Sequence, residues 1–344
     1  MFKKVIVPLD GTELAEGILP YIADMASSLD TSIILLSVID PDAVELPERI
    51  GGAPRSGAAH VEVVGTAGGV VDVKAQTSSE DLARAGVHPH ERGGPHVTQL
   101  FDRAEDIAKT RLGEIAKRLK SKVTDVDTRV VFGKPAEKII EFAEAEGADL
   151  IAMSTHGRNM IGRGLLGSVT DKVLHAARLP VMTISPDKAK VYGDAAKSIR
   201  NVIVPLDGSE LAESVLPYVE AIATGMSLSV LLVRVLGHGV TFAPYSEGLA
   251  YLDDSRIDET LEAEFIDYLG GVAERFKAKG IKVAWKIMRG APAICITDLA
   301  RETSNNMIAL ATHGRSGLTR WVLGIVAEGV IRTTGDPVLV VTPH

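Results

Sequence analysis

At 344 residues, with 46% hydrophobic and 24% charged side chains, the chain is long enough for two ordinary domains, each burying its own core. A formal net charge of -8 argues against a broad electrostatic footprint for nucleic acid or an anionic membrane surface. The single cysteine, Cys295, excludes an intrachain disulfide framework and suits a reducing compartment; within the apolar stretch PAICITDLA it reads as core packing.

The chain opens with MFKKVIVPLD, which enters a strand at once. It has no long apolar run followed by a small-residue cleavage site, so the expectation is neither secretion nor membrane insertion, with the cytoplasm as location. The segment VIVPLDGTELAEGILPY from Val5 returns as VIVPLDGSELAESVLPY from Val202, identical at 14 of 17 positions, so the chain is a tandem duplication. The halves also end alike, LPVMTISP against DPVLVVTP. The reading is therefore a first domain over 1–186, a short charged linker over 187–198 and a second domain over 199–344.

Within the first half, β-branched runs at 4–9, 32–39, 126–132, 149–154 and 181–185 suit buried parallel strands. Between them, apolar residues at three-to-four spacing predict helices over 13–29, 100–119, 135–146 and 168–177, with Pro135 suited to a first helical turn. Strand and helix alternating in this way predict an α/β fold of two tandem doubly wound domains, Rossmann-like or flavodoxin-like, each a five-stranded parallel sheet flanked by helices. Ligands of such sheets bind beyond the carboxyl ends of the strands, an edge that would carry Asp10, Val38 and the loop from Thr155.

The halves differ most after their second strand. A Gly- and Pro-rich insert fills about 41–97, and only 237–258 stands there in the second half. The first insert holds His60, His88, His90 and His96, but no cysteine accompanies them and their spacing matches no closed tetrahedral pattern, so they read as solvated loop histidines and no metal site is expected.

The stretch THGRNMIGRGLLGS, from Thr155 to Ser168, sits between a strand and a helix, and THGRSGLTRWVLGI, from Thr312 to Ile325, repeats it. Glycines let the backbone turn sharply and approach a ligand, and the N–H groups opening the next helix can bind phosphate oxygens. Gly157 and Gly167 bracket nine residues, Ser168 adds a hydroxyl, and Arg158 and Arg163 offer charge-assisted bonds. On spacing alone an anion cradle and a simple strand-to-helix turn are both open readings. His156 and His313 have no nucleophile or carboxylate constellation around them, and no Walker lysine or HExxH stands in the chain, so no catalytic residue is assigned.

These residues together resemble the tandem universal stress protein family, across both repeats and outside mainly the two inserts. That family carries Gly-x2-Gly-x9-Gly-Ser/Thr after its fourth strand, Pro-x-Asp ending the first and Val ending the second. The first repeat supplies Pro8, Asp10, Val38, Gly157, Gly167 and Ser168, with Ser154 at the first glycine. The second supplies Pro205, Asp207, Val235, Gly314 and Gly324, with Ala311 at that glycine and Ile325 at the closing Ser/Thr.

The resemblance implies ATP, with Mg as its counter-ion. Pro8, Asp10 and Val38 would face adenine and ribose, Gly157, Arg158, Gly167, Ser168, Val169 and Thr170 the phosphates, and Met153 belongs to the same ATP-binding set. Asp10 would also turn or cap the chain entering the next helix. In the second domain Pro205, Asp207, Val235, Gly314, Arg315 and Gly324 form a weak or vestigial site, because Ile325 removes the hydroxyl. The implied function is a nucleotide-responsive stress or signalling module, a binder with at most slow incidental ATP hydrolysis. The final strands would pair as an internal pseudo-dimer, and a homodimer is expected. The competing readings are an α/β nucleotide hydrolase or adenylyl-transfer enzyme, and a nucleotide-free dimerising scaffold.

Overall fold

The computed structural model describes residues 1–42, 95–155, 166–185, 198–237, 254–312 and 323–343. In the first repeat, strands β1 (Lys4–Pro8), β2 (Ser32–Ile39), β3 (Val126–Phe132), β4 (Leu150–Ser154) and β5 (Val181–Ile184) alternate with helices α1 (Leu19–Leu29), α2 (Pro95–Leu119), α3 (Pro135–Ala145) and α4 (Ser168–Ala176). The second repeat has β6 (Asn201–Pro205), β7 (Ser229–Leu236), β8 (Val283–Arg289), β9 (Asn306–Ala311) and β10 (Val338–Val341). Its helices are α5 (Leu216–Met226), α6 (Asp254–Lys277), α7 (Pro292–Glu302) and α8 (Ile325–Thr333), with one short turn of helix at Glu210–Glu213.

Two expected elements differ. The helix read over 13–29 is split into a 3-10 turn, Ala15–Ile18, and α1, whose Pro20 lies in its first turn. Proline has no N–H to donate and is tolerated only where a helix starts, so the chain restarts its helix just before it. The other helix, α2, begins at Pro95, inside the tail of the insert read over 41–97. The remainder of that insert lies outside the described residues.

Each repeat forms a parallel sheet, and the two sheets are one: the strands run β3-β2-β1-β4-β5-β10-β9-β6-β7-β8. At the centre β5 and β10 pair antiparallel, with Met182 opposite Leu339 and Val181 opposite Val340. Each repeat would otherwise end here in a bare, apolar β-branched edge, and pairing the two edges removes both.

Alternation along the strands sorts the core onto two faces. Val5, Val7, Leu35, Val204 and Leu232 share one face with α1, α2, α5 and α6 in a cluster that runs through both repeats. Phe2 packs edge-on against Tyr218 with ring centroids 6.0 Å apart, tying the chain's start to the second repeat. Ile6, Leu36, Met153, Ile203 and Leu310 lie on the other face under α3, α4, α7 and α8. The long helices are fixed to the turns after β1 and β6 in matching ways: Arg111 and Arg118 donate to Glu16 in the first repeat, and Tyr268 and Arg275 to Glu213 in the second. Among the described residues no helix is long and apolar enough to cross a membrane.

Candidate functional site

The strand order locates the site before any side chain is considered. From β1 the chain steps outward through β2 and β3, then returns to place β4 on the other side of β1. Neighbouring connections therefore diverge between β1 and β4, which opens a crevice at the carboxyl ends of those strands. The equivalent point in the second repeat lies between β6 and β9.

One wall of the first crevice is the turn after β1. The Asp10 Oδ1 atom accepts the Thr12 backbone N–H at 2.9 Å and the Thr12 hydroxyl at 2.7 Å, and Thr12 Oγ1 accepts the Ala15 N–H at 3.2 Å. Asp10 thus closes an Asx-turn, while the cap of the following turn falls to Thr12. Asp207 and Ser209 repeat the arrangement: Oδ1 accepts from Ser209 N at 2.9 Å and Ser209 Oγ at 2.6 Å, and Ser209 Oγ accepts the Ala212 N–H at 3.1 Å.

Apolar residues border the same strand ends. Pro8 is buried and pairs in register with Leu36, two residues before the half-buried Val38. Val38 and the buried Met153 belong to the same face of the sheet. In the second repeat Pro205 and Val235 are half-buried at the corresponding strand ends.

The opposite wall is the start of α4. Gly167 donates its N–H to the Thr155 carbonyl at 2.8 Å, closing the base of the connection, and its own carbonyl takes the first helical bond, from Asp171 N at 2.8 Å. Among the described residues no side chain caps this helix. Gly167 is its N-cap and has none to offer, so the first-turn N–H groups lack the usual Ser, Thr or Asp oxygen. Ser168 is exposed and Val169 half-buried. Thr170 is only 3% exposed and donates its hydroxyl to the Ser154 carbonyl at 2.9 Å, so the backbone N–H is what it can offer a ligand. Ser154 itself is 6% exposed and its hydroxyl has no partner among the described residues.

The second repeat reproduces this backbone. Gly324 N donates to Thr312 O at 2.7 Å, Glu328 N donates to Gly324 O at 2.9 Å, and among the described residues no side chain caps α8. Gly324 is required by close approach: a Cβ there would lie 2.5 Å from the Thr312 carbonyl oxygen. Ile325, in the place of Ser168, is 90% exposed. Gly157, Arg158, Arg163 and His156, with Gly314, Arg315 and His313, lie outside the described residues, as do His60, His88, His90 and the His96 side chain. Among the described residues no group of His, Cys, Asp and Glu is placed to hold a metal ion.

One residue escaped the sequence reading. The sixth residue of β2 is Ser37, and the sixth of β7 is Arg234. Arg234 is 5% exposed, and its guanidinium carbon lies 3.4 Å from the Phe265 ring centroid and 5.2 Å from that of Tyr268. A Cβ on Gly208 would lie 2.5 Å from its Nη1 atom, so the guanidinium sits directly against the Asp207–Gly208–Ser209 turn. Stacking a planar cation on aromatic faces is favourable and stronger when water is excluded. The second turn thus rests on a fixed cation at the strand position where the first repeat has Ser37.

A family model described as the universal stress protein family matches residues 1–185 and again 198–342. A universal stress protein of Mycobacterium tuberculosis is 28% identical over 244 residues, covering 70% of this chain and 75% of that one. Another, of Methanocaldococcus jannaschii, is 30% identical over 142 residues, covering 41% of this chain and 81% of that one. Among solved structures, a universal stress protein of Archaeoglobus fulgidus superposes with a TM-score of 0.62 at 20% identity, covering 99% of each chain.

Proposed function

The chain belongs to the universal stress protein family, and from that membership we propose that its first repeat is an adenine-nucleotide site, with ATP the ligand. The observation that carries the reading is the uncapped start of α4 at the β1–β4 crevice, opened by Gly167. A helix N-terminus whose N–H groups lack a side-chain cap suits an anion, through its dipole and through direct bonds to phosphate oxygens.

In this reading Pro8, Val38 and Met153 form the apolar wall for adenine and Asp10 meets the ribose. The backbone N–H groups of Ser168, Val169 and Thr170 take the phosphates, with the Ser168 hydroxyl, Gly157 and Arg158 completing the cradle. Magnesium neutralises the triphosphate. The site binds and releases nucleotide as a signal, with no residue assigned to turnover, and the protein serves in the cytoplasm as a stress or signalling module.

The second crevice, bordered by Pro205, Asp207, Val235, Gly314, Arg315 and Gly324, binds weakly. It keeps the backbone donors but sets the exposed Ile325 where the first has Ser168. A hydrogen bond to a charged group contributes about 1.5–3 kcal/mol, which makes the second site weaker by roughly tenfold to a hundredfold.

Mass spectrometry of nucleotide released from the freshly purified protein, followed by calorimetric titration with Mg-ATP, tests both parts. The expected result is near one nucleotide per chain, lost in Ser168→Ile and raised toward two in Ile325→Ser. Two equal sites in the wild type would sink the asymmetry, and an empty protein that ignores added ATP would sink the reading as a whole.

A further inference from the structure

Beyond the carboxyl ends of β2 and β3, next to the half-buried Val38, stands a charged cluster of Asp40, Asp42 and Lys134. Gly133 donates its N–H to the Ile39 carbonyl at 3.0 Å, which brings Lys134, the residue before α3, against the end of β2. The Lys134 ammonium pairs with the Asp42 carboxylate and lies 3.6 Å from Asp40 Oδ1. Asp40 Oδ1 also accepts the Asp42 backbone N–H at 3.0 Å. Asp40 Oδ2 accepts no hydrogen bond among the described residues, although the side chain is only 21% exposed. In the second repeat Gly237 follows β7 where Asp40 follows β2, and Ala291 precedes α7 where Lys134 precedes α3.

The strand ladder shows what lies beside this oxygen. Leu36 and Val38 line one face of the sheet, and Asp40 is the next residue of that row by alternation. Leu9 N donates to Leu36 O at 2.8 Å and Gly133 N to Ile39 O, so even-numbered residues of β2 direct their backbone groups toward β1 and odd-numbered ones toward β3. The register of β1 ends at Pro8, opposite Leu36. The N–H and C=O of Val38 therefore point past the end of β1 into the crevice, and no bond to either is found among the described residues. Within a residue the N–H comes before the C=O along the chain, so the carbonyl is the group nearer Asp40.

A base edge that meets Val38 in the plane of the sheet sets an acceptor on its N–H and a donor on its C=O. On adenine these are N1 and the 6-amino group. The amino group then lies on the Asp40 side, with its second hydrogen still unused. Given the nucleotide reading of the first crevice, on which this rests, we infer that Asp40 reads the purine 6-position, its Oδ2 accepting that second hydrogen. Lys134 and Asp42 are positioning residues that hold the carboxylate through its other oxygen. A purine without the amino group leaves both Oδ2 and the Val38 carbonyl unpaired, which is how a polar site rejects an analogue. With Gly237 at this place, the second crevice has no such selection.

Calorimetric titration of the full chain with the magnesium salts of ATP and of purine riboside triphosphate, which differs from ATP only in lacking the 6-amino group, tests the assignment. The wild type is expected to prefer ATP. Asp40→Gly is expected to reduce that preference roughly tenfold or more by weakening ATP alone. Lys134→Ala keeps the carboxylate but releases it, and is expected to reduce the preference by a smaller factor, with binding of purine riboside triphosphate unchanged. A wild type that binds ATP while Asp40→Gly keeps the full preference overturns the role of Asp40 and leaves the nucleotide site standing. Equal weakening of both ligands in Asp40→Gly, the mark of a distorted site, overturns it too. A wild type that binds neither ligand removes the nucleotide reading and the role of Asp40 with it.

Discussion

Asp336 lies half-buried before β10, where burial pushes its carboxyl up to about 6 from 3.8; hydrogen bonds from Thr334 and Asn306 oppose that rise. The Thr334 hydroxyl donates to Oδ2 at 3.1 Å. The folded state therefore holds a proton through a pH range in which the unfolded chain has released it. Stability tied to this group is fully present below pH 3.8 and is lost as pH rises through about 6. Above that, burying the ionised carboxylate costs at most about 3 kcal/mol, from a shift of roughly two units at ~1.4 kcal/mol each.

Asp336→Asn keeps the shape and the acceptor for Thr334 while removing the ionisation. Urea denaturation at pH 4 and pH 7.5, wild type beside variant, reads the consequence. The variant is expected to gain up to about 3 kcal/mol over the wild type at pH 7.5 and to lose most of that advantage at pH 4. A stability difference that does not change with pH, or one that favours the wild type more at pH 7.5, would refute the reasoning.

Two further outcomes follow from the turns that flank the crevices. Gly208 has φ of +82° and its Cβ position lies 2.5 Å from Arg234 Nη1, so Gly208→Ala should destabilise the protein by about 1–3 kcal/mol through backbone strain and the clash. Adding Arg234→Ser should recover the steric part in denaturation experiments, and a strictly additive double variant would show that the guanidinium does not press on the turn. At Asp10, Asp10→Ala removes the acceptor of both Thr12 bonds and should cost about 1–2 kcal/mol without ligand, while Asp10→Asn costs less than half of that. Equal unfolding midpoints for the alanine variant and the wild type would show that the carboxylate does not hold the turn.

The sheet was legible because buried parallel strands are short β-branched runs, and the runs at 32–39 and 126–132 coincide with β2 and β3. Pairing of the final strands was implied by the family resemblance, in keeping with their apolar edges, and the structure joins them as β5 and β10. Helical periodicity was blind to the break before Pro20, because proline in a first turn satisfies the same pattern that a continuous helix does. The sequence does not show which atom of Thr170 is free; in the structure its hydroxyl reaches back to the Ser154 carbonyl.

The largest omission was Arg234. A lone arginine within an apolar strand carries no local sign of burial, because the groups that accept it, Phe265 and Tyr268, come from a helix some thirty residues further on. The substitutions that separate the repeats then fall on both sides of the second crevice. Ile325 removes a hydroxyl at the start of α8, and Arg234 adds a buried cation beneath the turn that carries Asp207. Either change alone would alter one wall. Together they leave the second copy with its backbone scaffold, one hydroxyl fewer at the helix start, and a turn braced by the protein itself, while the first keeps Ser37 and Ser168 at the matching places.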